Sequence, residues 1–260
     1  MSVLYNEEEE KKYLFTKQMV CTNCEWKFED TRVLNSKLRR KESDDDLRPR
    51  FQGIDSLKYG ITACPQCGYA ASAKNFEHLN KLQKKMLMDK VTTKFIGRKT
   101  VQGGQVLDYP TALEQYKLAF ICAMAIELPI SEQAYLCLQI SWLIRGRIEE
   151  LEAEGTLEAK EKQTLQEEEK RFYRQAYDGL AKAVMQEDFP ICGMDQNTFY
   201  YLLAVLSFRH DDYEMAIRYC GMVVQDRSVS SKIKDKALML KDEVVAAKKQ
   251  AEEEAGGQSE

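Results

Sequence analysis

The sequence Cys-Thr-Asn-Cys at residues 21–24 is matched in form by Cys-Pro-Gln-Cys at residues 64–67. Each pair carries two thiols separated by two residues, a spacing that lets both sulfurs face one centre from a tight turn. Two such pairs supply the four soft ligands that zinc prefers. Because four thiolates leave no open position for water, the metal would be structural. The sequence therefore predicts a structural Zn²⁺ ion bound by Cys21, Cys24, Cys64 and Cys67.

Two other chemistries use the same cysteine pairs. A redox dithiol would need one pair at the start of a helix in a βαβ unit, and neither pair has that sequence setting. An iron–sulfur cluster takes the same four ligands, and the sequence leaves it open. His78, eleven residues after Cys67, is an alternative ligand, although we expect it at the surface.

The segment between the two pairs is 39 residues long, against about 15 to 20 in a short zinc ribbon. Its charged run at residues 37–50, KLRRKESDDDLRPR, predicts a solvated finger. The entropic cost of loop closure grows slowly with length, so the cysteines can still meet. Zinc binding, on the order of 10 kcal/mol, would supply folding energy that this polar segment lacks.

Local patterns predict a strand that leads into each cysteine pair. Residues 13–20 and Leu57–Thr62 are β-prone runs that lead into Cys21 and Cys64. Apolar residues at helical spacing predict a helix over residues 75–90, and the glycines at 103 and 104 break the pattern. We therefore place a junction near residue 100.

Helices are predicted from Pro110 almost to the end of the chain. The predicted domains are a zinc-ribbon unit over 1–100, a helical domain over 105–254 and a disordered tail over 255–260. The fold class is thus mainly α, with a small β unit at the N-terminal side. The helical segments share an apolar stripe and cover 111–128, a stretch after Ser131, 172–184, 197–208, 213–224 and 231–251.

The last helix pair resembles a tetratricopeptide repeat. The sequence Asp-Tyr-Glu-Met-Ala-Ile at residues 212–217 is similar to the opening of that family's second helix. Ala112, Ala176 and Ala216 are 64 and 40 residues apart, whereas the family repeats every 34 or so, so the array would be irregular. The resemblance implies stacked helix pairs with a groove for a partner peptide.

A four-cysteine ribbon followed by such helices resembles a bacterial family of uncharacterised cytoplasmic proteins over nearly the whole chain. The resemblance implies the architecture and the metal, and it brings no activity with it. The first twenty residues lack a signal-peptide pattern, and no stretch approaches eighteen uninterrupted apolar residues. We therefore expect a cytoplasmic protein without a membrane segment.

No enzyme class is indicated. The two histidines, His78 and His210, lie outside any H-E-x-x-H motif, and no phosphate-binding P-loop is present.

Our leading hypothesis is an adaptor whose helical domain binds a protein partner. One alternative is a thiol or zinc redox switch. The other is a nucleic-acid factor, because up to Pro110 the chain has 20 basic residues against 15 acidic ones. Its candidate contacts are Lys37, Arg39, Arg40, Lys41, Arg48 and Arg50 in the finger, and Lys81, Lys84 and Lys85 beyond it.

Overall fold

A computed structural model describes residues 6–97 and 103–256 of the chain. As predicted, the protein is mainly α, with small antiparallel strand pairs followed by a helical array. The four strands are β1 (Leu14–Val20), β2 (Lys27–Val33), β3 (Ile61–Ala63) and β4 (Ala70–Ser72). The helices are α1 (Glu7–Lys11), α2 (Lys81–Lys90), α3 (Tyr109–Ala125), α4 (Ile130–Glu154), α5 (Ala159–Ala183), α6 (Gln196–Phe208), α7 (Tyr213–Gln225) and α8 (Ser231–Gly256).

The strands form two hairpins, and each hairpin carries one cysteine pair at its turn. Strands β1 and β2 pair antiparallel, with Val20 opposite Lys27 at the closed end. Strands β3 and β4 pair in the same sense, with Ala63 opposite Ala70. The strand predicted over residues 13–20 is confirmed. Of the run predicted over Leu57–Thr62, only the end is a strand, because Ser56–Tyr59 form a 3₁₀ turn before β3.

Helix α2 is shorter than predicted. Residues 73–77 form turns rather than the first turns of a helix. The Asn80 side chain accepts a hydrogen bond from the Gln83 amide (2.9 Å), and the Gln83 side chain accepts one from the Asn80 amide (3.1 Å). This reciprocal cap satisfies amides that have no partner inside the helix, so the helix begins after Asn80.

The chain forms two compact units. The first comprises the described residues up to Asp44 and Arg48–Ala176, and the second comprises Asp45–Leu47 and the residues from Tyr177 onward. In the first unit, α3 packs against both β3 and β4, and α4 packs against α3. The second hairpin and these two helices therefore share one core.

The predicted junction near residue 100 falls on residues 98–102, which lie outside the described ranges. The division into 1–100 and 105–254 does not coincide with the two compact units, and it stays a prediction. Of the tail predicted over 255–260, the backbone of the first two residues continues α8, and the rest is outside the described residues. Among the described helices, none is long and apolar enough to cross a membrane.

The finger predicted to be solvated is partly buried, which corrects the sequence analysis. Arg48 is fully buried, and its guanidinium donates hydrogen bonds to Asp55 (3.1 Å) and to Glu149 of α4 (3.2 Å). The Tyr109 hydroxyl donates to the same Asp55 carboxylate (2.9 Å). Arg50 pairs with Glu149 as well, at 2.6 Å. Buried charges persist when they are paired and hydrogen-bonded, as they are here.

In the second unit, α6, α7 and α8 pack against one another. The small side chains of α6 and α7 include four that are fully buried: Ala204, Ala216, Cys220 and Val223. Asp212 caps α7, because its carboxylate accepts a hydrogen bond from the Met215 amide (3.2 Å). These helices thus pack through the stripe that the sequence pattern indicates.

Candidate metal centre

The two cysteine turns have the same backbone hydrogen bonds. In the first turn the Cys21 amide donates to the Trp26 carbonyl (2.9 Å), and the Glu25 amide donates to the Cys21 carbonyl (2.8 Å). In the second turn the Cys64 amide donates to the Tyr69 carbonyl (2.8 Å), and the Gly68 amide donates to the Cys64 carbonyl (3.1 Å). Each turn therefore holds its two sulfurs on the same side of the chain reversal.

The structure brings together the four predicted ligands. The sulfurs of Cys21, Cys24, Cys64 and Cys67 all lie within 4.8 Å of one another. The Sγ atoms of Cys21 and Cys67 are 3.6 Å apart, and those of Cys24 and Cys64 are 3.7 Å apart. Four sulfurs about 2.3 Å from a tetrahedral metal would be roughly 3.8 Å from each other, whereas a disulfide bond is about 2.05 Å long. The four cysteines can therefore hold a metal ion. His78 is exposed and is not part of the cluster.

Three of the four clustered cysteines are buried, and aromatic side chains of the two hairpins and the following turn pack together. Cys21 and Cys64 are fully buried and Cys67 is nearly so, whereas Cys24 is partly exposed. Phe76 stacks on Tyr69 with ring centroids 4.8 Å apart, and Phe28 meets Phe76 edge-on at 6.0 Å. Ligands buried to this extent suit a structural ion better than one that must admit a substrate.

Hydrogen bonds orient the first turn toward the second. The Asn23 amide nitrogen donates to the Cys67 sulfur (3.4 Å) and to the Thr92 hydroxyl (3.2 Å). The Thr22 hydroxyl donates to the Phe76 carbonyl (2.8 Å). Such outer contacts fix the positions of metal ligands and stabilise the negative charge on sulfur. Sequence analysis did not assign Asn23 a role, since its partners are 44 and 69 residues away.

The thiols of the cluster share their protons unequally. Hydrogen bonds from Cys21 and Cys64 lower the pKa of Cys67 to about 2. Hydrogen bonds with Cys64 and Cys67, together with burial, raise the pKa of Cys21. The hydrogen bond with Cys21 lowers the pKa of Cys64, but the bond with Cys67 and burial outweigh it and raise that pKa to about 12. All four thiols could be deprotonated together only if a cation offset the mutual repulsion of the thiolates.

A fifth thiol lies beside the second turn. The Cys122 sulfur of α3 accepts a hydrogen bond from the Ala70 amide (3.4 Å) and donates one to the Gly68 carbonyl (3.4 Å). Burial raises the pKa of Cys122 to about 12, so this thiol stays protonated at neutral pH. Cys122 thus connects α3 to the turn without belonging to the four-sulfur cluster. A cysteine in an apolar helix carries no sequence signal for this contact.

The structure separates the basic residues of the finger that were proposed for nucleic-acid binding into two groups, whereas beyond the finger Lys81 and Lys85 are exposed and Lys84 is half-buried. Arg48 and Arg50 pair with carboxylates inside the first unit. The remaining cations of the finger are exposed: Lys37, Arg39, Arg40 and Lys41. The surface available to a polyanion is therefore smaller than the sequence indicates.

Residues 14–244 match a protein family described as Uncharacterized protein conserved in bacteria (DUF2225). The chain belongs to this family. The DUF2225 match includes both cysteine turns and most of the helices, and it confirms the resemblance to an uncharacterised bacterial family. It does not bear on the tetratricopeptide resemblance. No curated protein and no solved structure matches the chain.

Proposed function

We propose that this DUF2225 protein is a zinc-stabilised scaffold that binds a protein partner and catalyses no reaction. The observation that carries the proposal is the cluster of four sulfurs within 4.8 Å of one another. An all-thiolate donor set favours zinc over the hard cations that prefer oxygen, and zinc brings no redox chemistry of its own.

The first hairpin gives the metal a structural task. Of the seven residues of β1, only Met19 is buried. An isolated two-stranded hairpin is marginally stable at best in water, because it buries too little apolar surface. A zinc ion that joins this hairpin to the second would supply the missing stabilisation.

The second unit offers a surface for a partner. Apolar side chains remain exposed on its last two helices: Met222 on α7, and Leu238, Met239 and Val245 on α8. Leu238 and Val245 are seven residues apart and share one helix face. Exposed methionines and leucines adapt their shape to a bound chain, as at known protein-binding surfaces. The tetratricopeptide resemblance of α6 and α7 supports the same role, because such arrays bind peptides.

The test uses the full chain, because α3 and α4 share a compact unit with the cysteine hairpins. Elemental analysis of the purified protein should find about one zinc ion per chain. Affinity capture from bacterial lysate should recover a partner that is lost when both Leu238 and Val245 are replaced by glutamate. Leu82→Glu is the matched control, since Leu82 is 64% exposed on α2 in the first unit. A metal-free folded protein, or capture that the double variant leaves unchanged, would contradict the proposal.

A further inference from the structure

A cleft of about 390 Å³ lies in the first unit, and none of the four clustered cysteines lines it. Its lining comes from the end of α1, the short 3₁₀ turn Asn35–Lys37 and the base of the finger. The lining includes three cations, Lys12, Lys37 and Arg39, and one carboxylate, Glu9. Tyr13, Ser36 and Gln52 add neutral polar groups. The volume falls within the range of small-molecule sites, about 300 to 1,000 Å³.

Backbone hydrogen bonds hold these three segments together. The Leu34 amide donates to the Tyr13 carbonyl (2.7 Å), which extends the β1–β2 pairing by one residue pair between the end of α1 and the 3₁₀ turn. The Gln52 amide donates to the Arg39 carbonyl (2.9 Å), which joins the two sides of the finger base. The Lys37 ammonium donates to the Lys12 carbonyl (2.8 Å). The cleft is therefore formed by fixed backbone, although its charged side chains reach into solvent.

The cations of the cleft differ from the arginines further along the finger. Arg48 and Arg50 are neutralised by carboxylates, whereas among the described residues no ion pair is formed by Lys12 or Arg39. Three positive charges against the single Glu9 carboxylate leave a net charge of +2 in the lining. A phosphate monoester carries about −1.5 to −2 at pH 7, and the planar guanidinium of Arg39 suits two of its oxygens at once.

We propose that this cleft binds one phosphate group, either free or as the monoester of a small metabolite. Glu9 limits the site to a single phosphate. Its carboxylate repels further negative charge that extends past the cleft, whereas the neighbouring Glu7 and Glu10 are ion-paired with Lys11 and Lys58. A nucleic-acid strand, with a charge at every nucleotide, is therefore disfavoured at this position.

The proposal is tested by nuclear magnetic resonance titration of the zinc-loaded full chain at low ionic strength. Inorganic phosphate and phenyl phosphate are added in separate experiments, and acetate serves as a monoanionic comparison. We expect saturable shifts at the amides of residues 36–39 and 52 with either phosphate, and much weaker shifts with acetate. Tighter binding of phenyl phosphate than of inorganic phosphate would identify a monoester as the ligand, and the reverse would identify free phosphate.

Variants that each remove one positive charge test whether phosphate binds in the cleft. Lys12→Gln and Arg39→Gln should each weaken phosphate binding about two- to fivefold, the range expected for exposed charged contacts. Lys41→Gln is the matched control, because Lys41 is exposed on the same charged run and does not line the cleft. It should change the affinity less than twofold. Absence of saturation, or equal weakening by Lys41→Gln, would overturn the proposal. Tighter binding of an oligonucleotide that depends equally on all three residues would also overturn it.

Discussion

Glu25 occupies in the first cysteine turn the backbone position that Gly68 occupies in the second. Each residue follows the first cysteine of its pair by four positions, and each donates its amide to that cysteine's carbonyl. Both have left-handed backbone conformations, with φ of 62° and 74°. A side chain in this conformation costs roughly 1–2 kcal/mol, a cost that glycine avoids. The first turn therefore holds a strain that the second lacks.

Replacing Glu25 by glycine should stabilise the protein by about 1 kcal/mol. Glu25 is exposed, so the substitution removes the strain without opening a cavity. The measurement is the thermal unfolding midpoint of the zinc-loaded protein, which should rise. Gly68→Ala is the companion variant and should lower the midpoint. An added Cβ there would lie 2.5 Å from the Phe95 ring, and the alanine would have to adopt the left-handed backbone conformation.

Serine at Cys21 should abolish stoichiometric zinc binding. The hydroxyl is a poor donor for a site built from thiolates, and three remaining ligands leave the ion open to water. Elemental analysis and protease sensitivity of the β1–β2 hairpin report the loss. Cys137→Ser is the matched control, since Cys137 is equally buried but lies outside the cluster. Loss of zinc in the control as well would point to general unfolding instead of ligand removal.

Removal of the metal should affect the two units differently. A strong chelator should expose the first hairpin to hydrogen exchange, because that hairpin has little core of its own. Helices α6 and α7 contain none of the four ligands, so their amides should keep their protection. Equal loss of protection in the first hairpin and in α6 and α7 would contradict a local structural role for the metal.

The sequence predicted the cysteine turns well because their chemistry is local. Two thiols separated by two residues, with β-prone residues before them, can be recognised within about ten consecutive residues. The environment of Arg48 could not be predicted in the same way, because its run of charge is typical of a solvated loop. The carboxylate of Glu149 lies 101 residues further on, and only the packing of α4 brings it close. The start of α2 was predicted too early. Apolar residues at helical spacing also precede Asn80, but the cap at Asn80 sets the first residue of the helix.

Arg48→Met should destabilise the protein by about 3–5 kcal/mol, the usual cost of removing one partner from a buried ion pair. Among the described residues, the Asp55 carboxylate, 4% exposed, would keep the Tyr109 hydroxyl and the Leu57 amide as hydrogen-bond donors. Chemical denaturation of the zinc-loaded protein measures the change. Arg40→Met, at an exposed position of the same run, should change stability by less than about 0.5 kcal/mol. If the two substitutions changed the free energy of unfolding equally, the buried ion pair would make no specific contribution to stability.

Asp195 should make the stability of α6 depend on pH in the acidic range. Its carboxylate accepts hydrogen bonds from the Thr198 amide and hydroxyl, both at 2.9 Å, and the amide bond in particular lowers the pKa of Asp195 below its ordinary value of 3.8. Because the folded pKa is the lower one, the stabilisation is complete above pH 3.8 or so and is lost as pH falls through the folded value. The observable is hydrogen exchange of the α6 amides, which reports on this unit alone.

Asp195→Ala should speed exchange of the α6 amides at pH 7 by an amount equivalent to about 1 kcal/mol, the typical worth of a helix N-cap. Asp195→Asn keeps an oxygen that accepts the Thr198 amide and has no charge to titrate. It should therefore retain most of the protection at pH 7 and show less change than the wild-type protein on acidification. If the asparagine variant followed the wild-type pH dependence, the titrating group would lie elsewhere, because an amide side chain cannot supply it.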